Sequence, residues 1–141
     1  MIRPLLAVAL CLSLSGCSVW GPEGGPGGSG LRAPTESAAP PVDAVAGPDG
    51  VQRVEITAGD DLRFTPSVVR AHPGVIVFVF HNSGATPHDA RIDAGSGADT
   101  GNINGGQSST VRVTVDKPGT YPFPCLYHDS SGMRGQLIVA P

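Results

Sequence analysis

Towards the C-terminus the chain reads Cys125-Leu126-Tyr127-His128-Asp129-Ser130-Ser131-Gly132-Met133, a C-x2-H-x4-M spacing. This puts a soft thiolate, a borderline imidazole and a weak thioether on one short loop, a donor mixture that suits copper. Zinc sites draw on Cys, His and carboxylates, and Met is not among their usual ligands. A trigonal copper site with a thiolate and a long axial thioether needs two imidazoles, so a second His has to come from elsewhere in the fold. The chain offers His72, His81 and His88. His88 closes the stretch Asn82-Ser83-Gly84-Ala85-Thr86-Pro87-His88-Asp89, which follows an apolar run. Pro87 has a fixed φ and no backbone donor, so it stiffens the approach to His88. His72 lies in an Ala-His-Pro-Gly turn and His81 ends a run before Asn-Ser-Gly, and both read as exposed bystanders. Taken singly, a Cys at a strand end is core, a Met is packing and a His is solvated. The four together are what point to a metal.

The cysteine count sharpens this. Of three Cys, Cys11 lies in an apolar stretch of about ten residues, Pro4 to Leu14, behind the positive start Met1-Ile2-Arg3. That stretch is shorter than the roughly 20 apolar residues a membrane span needs, and it fits a secretory signal. Leu14-Ser15-Gly16-Cys17 resembles the bacterial lipobox, which implies cleavage before Cys17 and diacylglycerol on its thiol. An ordinary cleavage site would require no Cys. Two acyl chains anchor stably where one binds only marginally. Residues 1–16 are therefore expected to be a lipoprotein signal peptide and the protein to be exported, facing the extracytoplasmic side. Cys125 is then left alone, without a disulfide partner.

The elements that must position these residues are short strands. Gly (20) and Pro (14) are abundant and aromatics few at 5%, a composition that disfavours a helical bundle. Residues 18–50 lack hydrophobic periodicity and are expected, with Cys17, to form a disordered Gly/Pro/Ala/Ser-rich tether reaching about 30 Å. From Val51 the pattern turns to β-type runs: 54–57, 62–64, 68–70, 75–80, 89–92, 111–115, 121–125 and 136–139. Val111, Val113 and Val115 alternate with Arg112 and Thr114, as a half-exposed strand should. Seven or eight strands with frequent turns predict an all-β, Greek-key β-sandwich over 51–141. Residues 93–108 form a Gly-rich surface loop; without a following Lys-Ser/Thr and a helix it is no phosphate cradle.

On these residues the chain resembles the plastocyanin and amicyanin group of small cupredoxins. The likeness lies in the C-x2-H-x4-M loop, the N-x4-P-H stretch Asn82 to His88, and Phe64-Thr65-Pro66-Ser67-Val68-Val69 with Pro73-Gly74. It covers Val51 to Pro141. It implies a cupredoxin-like sandwich with one copper ion, cycling between Cu(I) and Cu(II). His88 and His128 would be its imidazole ligands, Cys125 its thiolate and Met133 its axial thioether. Asp89 stands where the family commonly has an Asn bracing the ligand loop. An ionised Asp accepts but cannot donate, so it is expected to receive a backbone N–H from that loop. The His88 to Cys125 spacing is nearer that of amicyanin than plastocyanin.

The resemblance implies a monomeric electron carrier, not an enzyme. His128 would be its electron port, with Pro124, Leu126 and Pro87 at the rim. Its partners would be redox proteins such as a cytochrome, oxidase or dehydrogenase, with membrane contact through lipid on Cys17. The competing reading is a copper carrier or storage module at the cell surface. Carriers favour exposed Met- or His-rich sites, and this chain has one internal Met beyond Met1 and no His cluster. From Val51 on, seven basic residues face eight acidic ones, which excludes a nucleic-acid binder with its basic face and gives little steering by net charge.

Overall fold

A computed structural model describes residues 39–141. Eleven strands lie among them: β1 (Val42–Asp43), β2 (Val45–Ala46), β3 (Gln52–Gly59), β4 (Arg63–Thr65), β5 (Val68–Ala71), β6 (Gly74–Asn82), β7 (Arg91–Ile92), β8 (Ala98–Asp99), β9 (Ser108–Val115), β10 (Gly119–Pro124) and β11 (Arg134–Val139). The sole helical element among the described residues is a 3-10 turn at Asp129–Ser131. Two sheets carry the fold, one ordered β1-β5-β11-β10 and the other β2-β3-β6-β9 with β4 on β3. β7 and β8 form a small ribbon. The architecture is the expected β-sandwich.

Alternation along each strand decides which face is buried. In β3, Val54, Ile56 and Ala58 point inward while Arg53 and Glu55 face solvent. β6 sits centrally, parallel to β3 and antiparallel to β9, and sends Ile76, Phe78 and Phe80 inward. Val69 of β5, Phe123 of β10 and Leu137 of β11 meet them, all wholly buried. Four phenylalanine rings form the centre: Phe123 lies 5.5 Å from Phe64, 6.0 Å from Phe78 and 6.1 Å from Phe80 between centroids. Gly135 is paired with Phe123 across β10 and β11, and a Cβ there would collide with the edge of the Phe123 ring. Only glycine leaves that ring its place.

Two expectations change. The tether was to run to Gly50, but Val42–Asp43 pairs in parallel with β5 and Val45–Ala46 pairs antiparallel with β3. One short segment thus passes from the edge of one sheet to the edge of the other, with Ala44 N–H donating to Arg70 O at 2.8 Å. Strands of two residues have no period for a sequence pattern to reveal; backbone pairing and the packing of Val42 and Ala44 on the core hold them. The folded part therefore begins before Val51. Residues 1–38, with the signal peptide, Cys17 and most of the tether, lie outside the described residues.

The loop 93–108 is also more ordered than expected. It contains β8, and Ile103 is buried and pairs with His88: His88 N–H donates to Ile103 O at 3.1 Å and Ile103 N–H to His88 O at 2.7 Å. These bonds tie it to the site. β1, β2 and β8 account for the strands beyond the seven or eight expected.

Candidate metal centre

β10 delivers Cys125 and β11 departs from Met133, so the C-x2-H-x4-M segment is the connection between two paired strands. Its ends are pinned by Cys125 N–H donating to Met133 O at 2.9 Å. Inside, His128 N–H bonds Cys125 O (3.2 Å), Ser131 N–H bonds His128 O (3.0 Å) and Met133 N–H returns to His128 O (3.2 Å). Gly132 closes the 3-10 turn at φ +82°, a left-handed conformation that favours glycine. Arg134 holds the Asp129 carboxylate at 2.7 Å across the base of the loop. The loop is thus shaped largely by its own backbone.

His88 arrives from the opposite sheet, beyond β6, and is wholly buried. Its Nδ1 lies 3.9 Å from Cys125 Sγ, and His128 Nδ1 lies 3.4 Å from the same sulfur. All three donor atoms fall within 4.8 Å of one another. Cys125 and Met133 are wholly buried and belong to the apolar core cluster. Asp89 is nearly buried, and its Oδ1 accepts Leu126 N–H at 2.7 Å, tying the His88 loop to the Cys125 loop. This is the acceptor role expected of an Asp in that place.

Burial dominates the electrostatics. It pushes the Cys125 thiol up, against the backbone N–H groups of Asp89 and His128, which favour the thiolate. It also lowers the pKa of His88, helped by the neighbouring His128, and opposed by Asp60 and the Gly59 carbonyl. Both effects favour the neutral imidazole, the form that binds metals. Of His88, Cys125 and His128, only His128 meets solvent, in a shallow depression that Tyr127 (55% exposed), Thr86, Pro87 and Asn102 complete.

Residues 36–139 match the family described as the cupredoxin-like domain. The chain belongs to that family. This cupredoxin is 33% identical over 99 residues to the plastocyanin minor isoform of Arabidopsis thaliana, a match covering 61% of this chain and 57% of that protein's length. It is 30% identical over 92 residues to plastocyanin of Ginkgo biloba, covering 58% of this chain and 92% of that one. Among solved structures it is similar to dithionite-reduced auracyanin of Roseiflexus castenholzii, with a TM-score of 0.57 and 25% identity over 63% of this chain and 97% of that one.

The donors fit a copper ion. Two imidazoles, a thiolate and a thioether are the donor set that suits copper, and the two sulfur–nitrogen distances, 3.4 and 3.9 Å, would let His88, Cys125 and His128 hold one ion between them. His72 and His81 stay at the surface, bonded to Ala140 O at 3.2 Å and Ser108 Oγ at 2.9 Å. Sequence reasoning assigned no role at the site to three residues. Tyr127 is exposed against the His128 ring, at 6.4 Å between centroids. Asn82 is buried and binds Thr86 O and Ile103 O, each at 2.8 Å. Its Oδ1 accepts Gly84 N–H at 2.9 Å, a turn that the Asn-Ser-Gly triplet signals. Asp60 bonds the loop before His88, and nothing in its own neighbourhood announces that.

Proposed function

We propose that this cupredoxin carries single electrons through one copper ion held by His88, Cys125, His128 and Met133. The observation that carries the reading is the convergence of two imidazoles on a buried thiol, with a buried Met closing the same loop. When bound, copper supplies a one-electron couple whose potential the axial ligand and surrounding hydrogen bonds adjust. The protein supplies rigidity. His88 is paired to Ile103, Cys125 to Met133, and Asp89 to Leu126, so the donors have little room to rearrange between oxidation states. His128 is the exit for the electron, and Leu126, Tyr127 and Pro87 form an apolar face for a redox protein such as a cytochrome, oxidase or dehydrogenase. Reductive titration of the copper-loaded protein should consume one electron per chain, reversibly. No reversible couple would contradict the proposal.

Asp89 sets a second expectation. Its carboxylate stands where Leu126 N–H and the Cys125 sulfur meet, and its negative charge favours the more positive oxidation state of a bound ion. Asp89→Asn keeps the acceptor oxygen and removes the charge. The reduction potential should rise by about 60 mV, a tenfold change in a one-electron equilibrium. Voltammetry decides it, and an unchanged or lower potential would sink the idea.

The reading extends to the N-terminal part. Residues 1–16 serve as a signal peptide and Cys17 carries the lipid, with the tether ending near Val42, where β1 begins. Cys17→Ser should abolish incorporation of labelled fatty acid and release the protein from membranes. Retention of label would contradict lipidation at Cys17.

A further inference from the structure

The loop 83–87 that presents His88 has no apolar anchor of its own. Ser83, Ala85 and Pro87 are exposed, and Gly84 and Thr86 half-buried. Yet each of its backbone N–H groups is taken. Ser83 N–H donates to Ala58 O at 2.9 Å and Gly84 N–H to Asn82 Oδ1 at 2.9 Å. The next two go to a single carboxylate: Ala85 N–H reaches Asp60 Oδ1 at 3.0 Å and Oδ2 at 3.1 Å, and Thr86 N–H reaches Asp60 Oδ1 at 2.9 Å. Pro87 has no N–H, and the next donor is His88 itself, bonded to Ile103 O. Asp60 thus takes two of the five backbone N–H groups along the path from β6 to His88.

Asp60 is itself held. It lies in the turn between β3 and β4, closed by Leu62 N–H donating to Gly59 O at 3.0 Å with Leu62 at φ +57°. Gly84 allows the approach, since a Cβ there would collide with the Asp60 carboxylate. The bonds from Thr86 and Ala85 hold the Asp60 carboxyl below the usual carboxylate range, as ionised acceptors of N–H groups are. His88 Nε2 is buried without a hydrogen-bond partner.

We infer that Asp60 is a positioning residue for His88, acting through the loop 83–87 to hold the imidazole against Cys125 before any ion arrives. This rests on the reading of His88 as a ligand. Hydrogen bonds behind a ligand typically change metal affinity about 10–100-fold when lost. Two substitutions separate position from charge. Asp60→Glu keeps the charge and displaces the carboxylate by one methylene; Asp60→Asn keeps an acceptor oxygen in place without the charge.

The test is copper affinity of the full chain, by competition with a chelator of known strength, together with amide hydrogen exchange at Ala85, Thr86 and His88 in the metal-free protein. Asp60→Glu and Asp60→Ala should each weaken copper binding at least tenfold and speed exchange at those amides. Asp60→Asn should stay within about threefold of the wild type, as placed oxygen rather than charge does the holding. If the alanine variant fails to fold, the Glu and Asn variants decide. Wild-type affinity and exchange in Asp60→Glu, or an Asn variant as weak as Asp60→Glu, would overturn the inference. A wild-type protein showing no Cys125-dependent copper signal would instead overturn the site reading on which it rests.

Discussion

Phe123→Ala should lower the unfolding free energy by about 3–5 kcal/mol, the range for removing a fully buried aromatic ring from a packed core. Phe123 is wholly buried, and its ring touches three others drawn from β4 and β6. It joins the two sheets, because β10 belongs to one and β6 to the other. Collapse into the vacated space is limited on one side by Gly135, whose missing side chain cannot fill it. Phe123 also lies two residues before Cys125, and both side chains are wholly buried. The check is urea denaturation of the metal-free protein. The midpoint should fall with the slope unchanged, the sign of lost stability rather than a changed unfolded state. A loss under about 1 kcal/mol would mean that the four-ring cluster is not the centre of the core.

Copper should stabilise the folded protein by about 4 kcal/mol when the free ion stands a thousandfold above its dissociation constant. For a domain of this size that corresponds to a rise in Tm of roughly 15–30 °C. The site joins parts distant in sequence: His88 follows β6, while Cys125, His128 and Met133 lie between β10 and β11 in the other sheet. An ion held by both sides therefore favours the folded state, because the unfolded chain does not bring His88 to the loop. Cys125→Ser should leave the metal-free Tm nearly unchanged and remove most of the copper-induced rise. Thermal scans of the two proteins with and without copper decide it. An equal shift in the serine variant would show that copper binds away from the proposed site.

Much of this architecture is legible in the residues because its causes are local. Val111, Val113 and Val115 announce β9 by alternation, and the apolar run Val75 to Phe80 announces β6, whose Ile76, Phe78 and Phe80 form the buried face. The ligand loop is legible because three of its donors lie within nine consecutive residues, 125–133. Asp89 illustrates a contact that donor chemistry foresees: a carboxylate there accepts from the loop, and Leu126 N–H is the group it finds. What stays hidden involves partners without a side-chain signature. β1 and β2 are too short for periodicity and exist by pairing with β5 and β3. Ile103 sits in a Gly-rich stretch that reads as open loop, yet its backbone is the partner of His88. Asp60 reads as one of two turn aspartates, since its partners are backbone N–H groups some 25 residues away in sequence.

The central claim is that His88, Cys125, His128 and Met133 bind one copper ion with the thiolate as a ligand. Visible absorption and EPR spectra of the protein after addition of one equivalent of Cu(II) test it most directly. The account predicts an intense thiolate-to-copper band with narrow copper hyperfine splitting, both lost in Cys125→Ala. A weak visible band with ordinary, wide splitting, the same in wild type and Cys125→Ala, would contradict it.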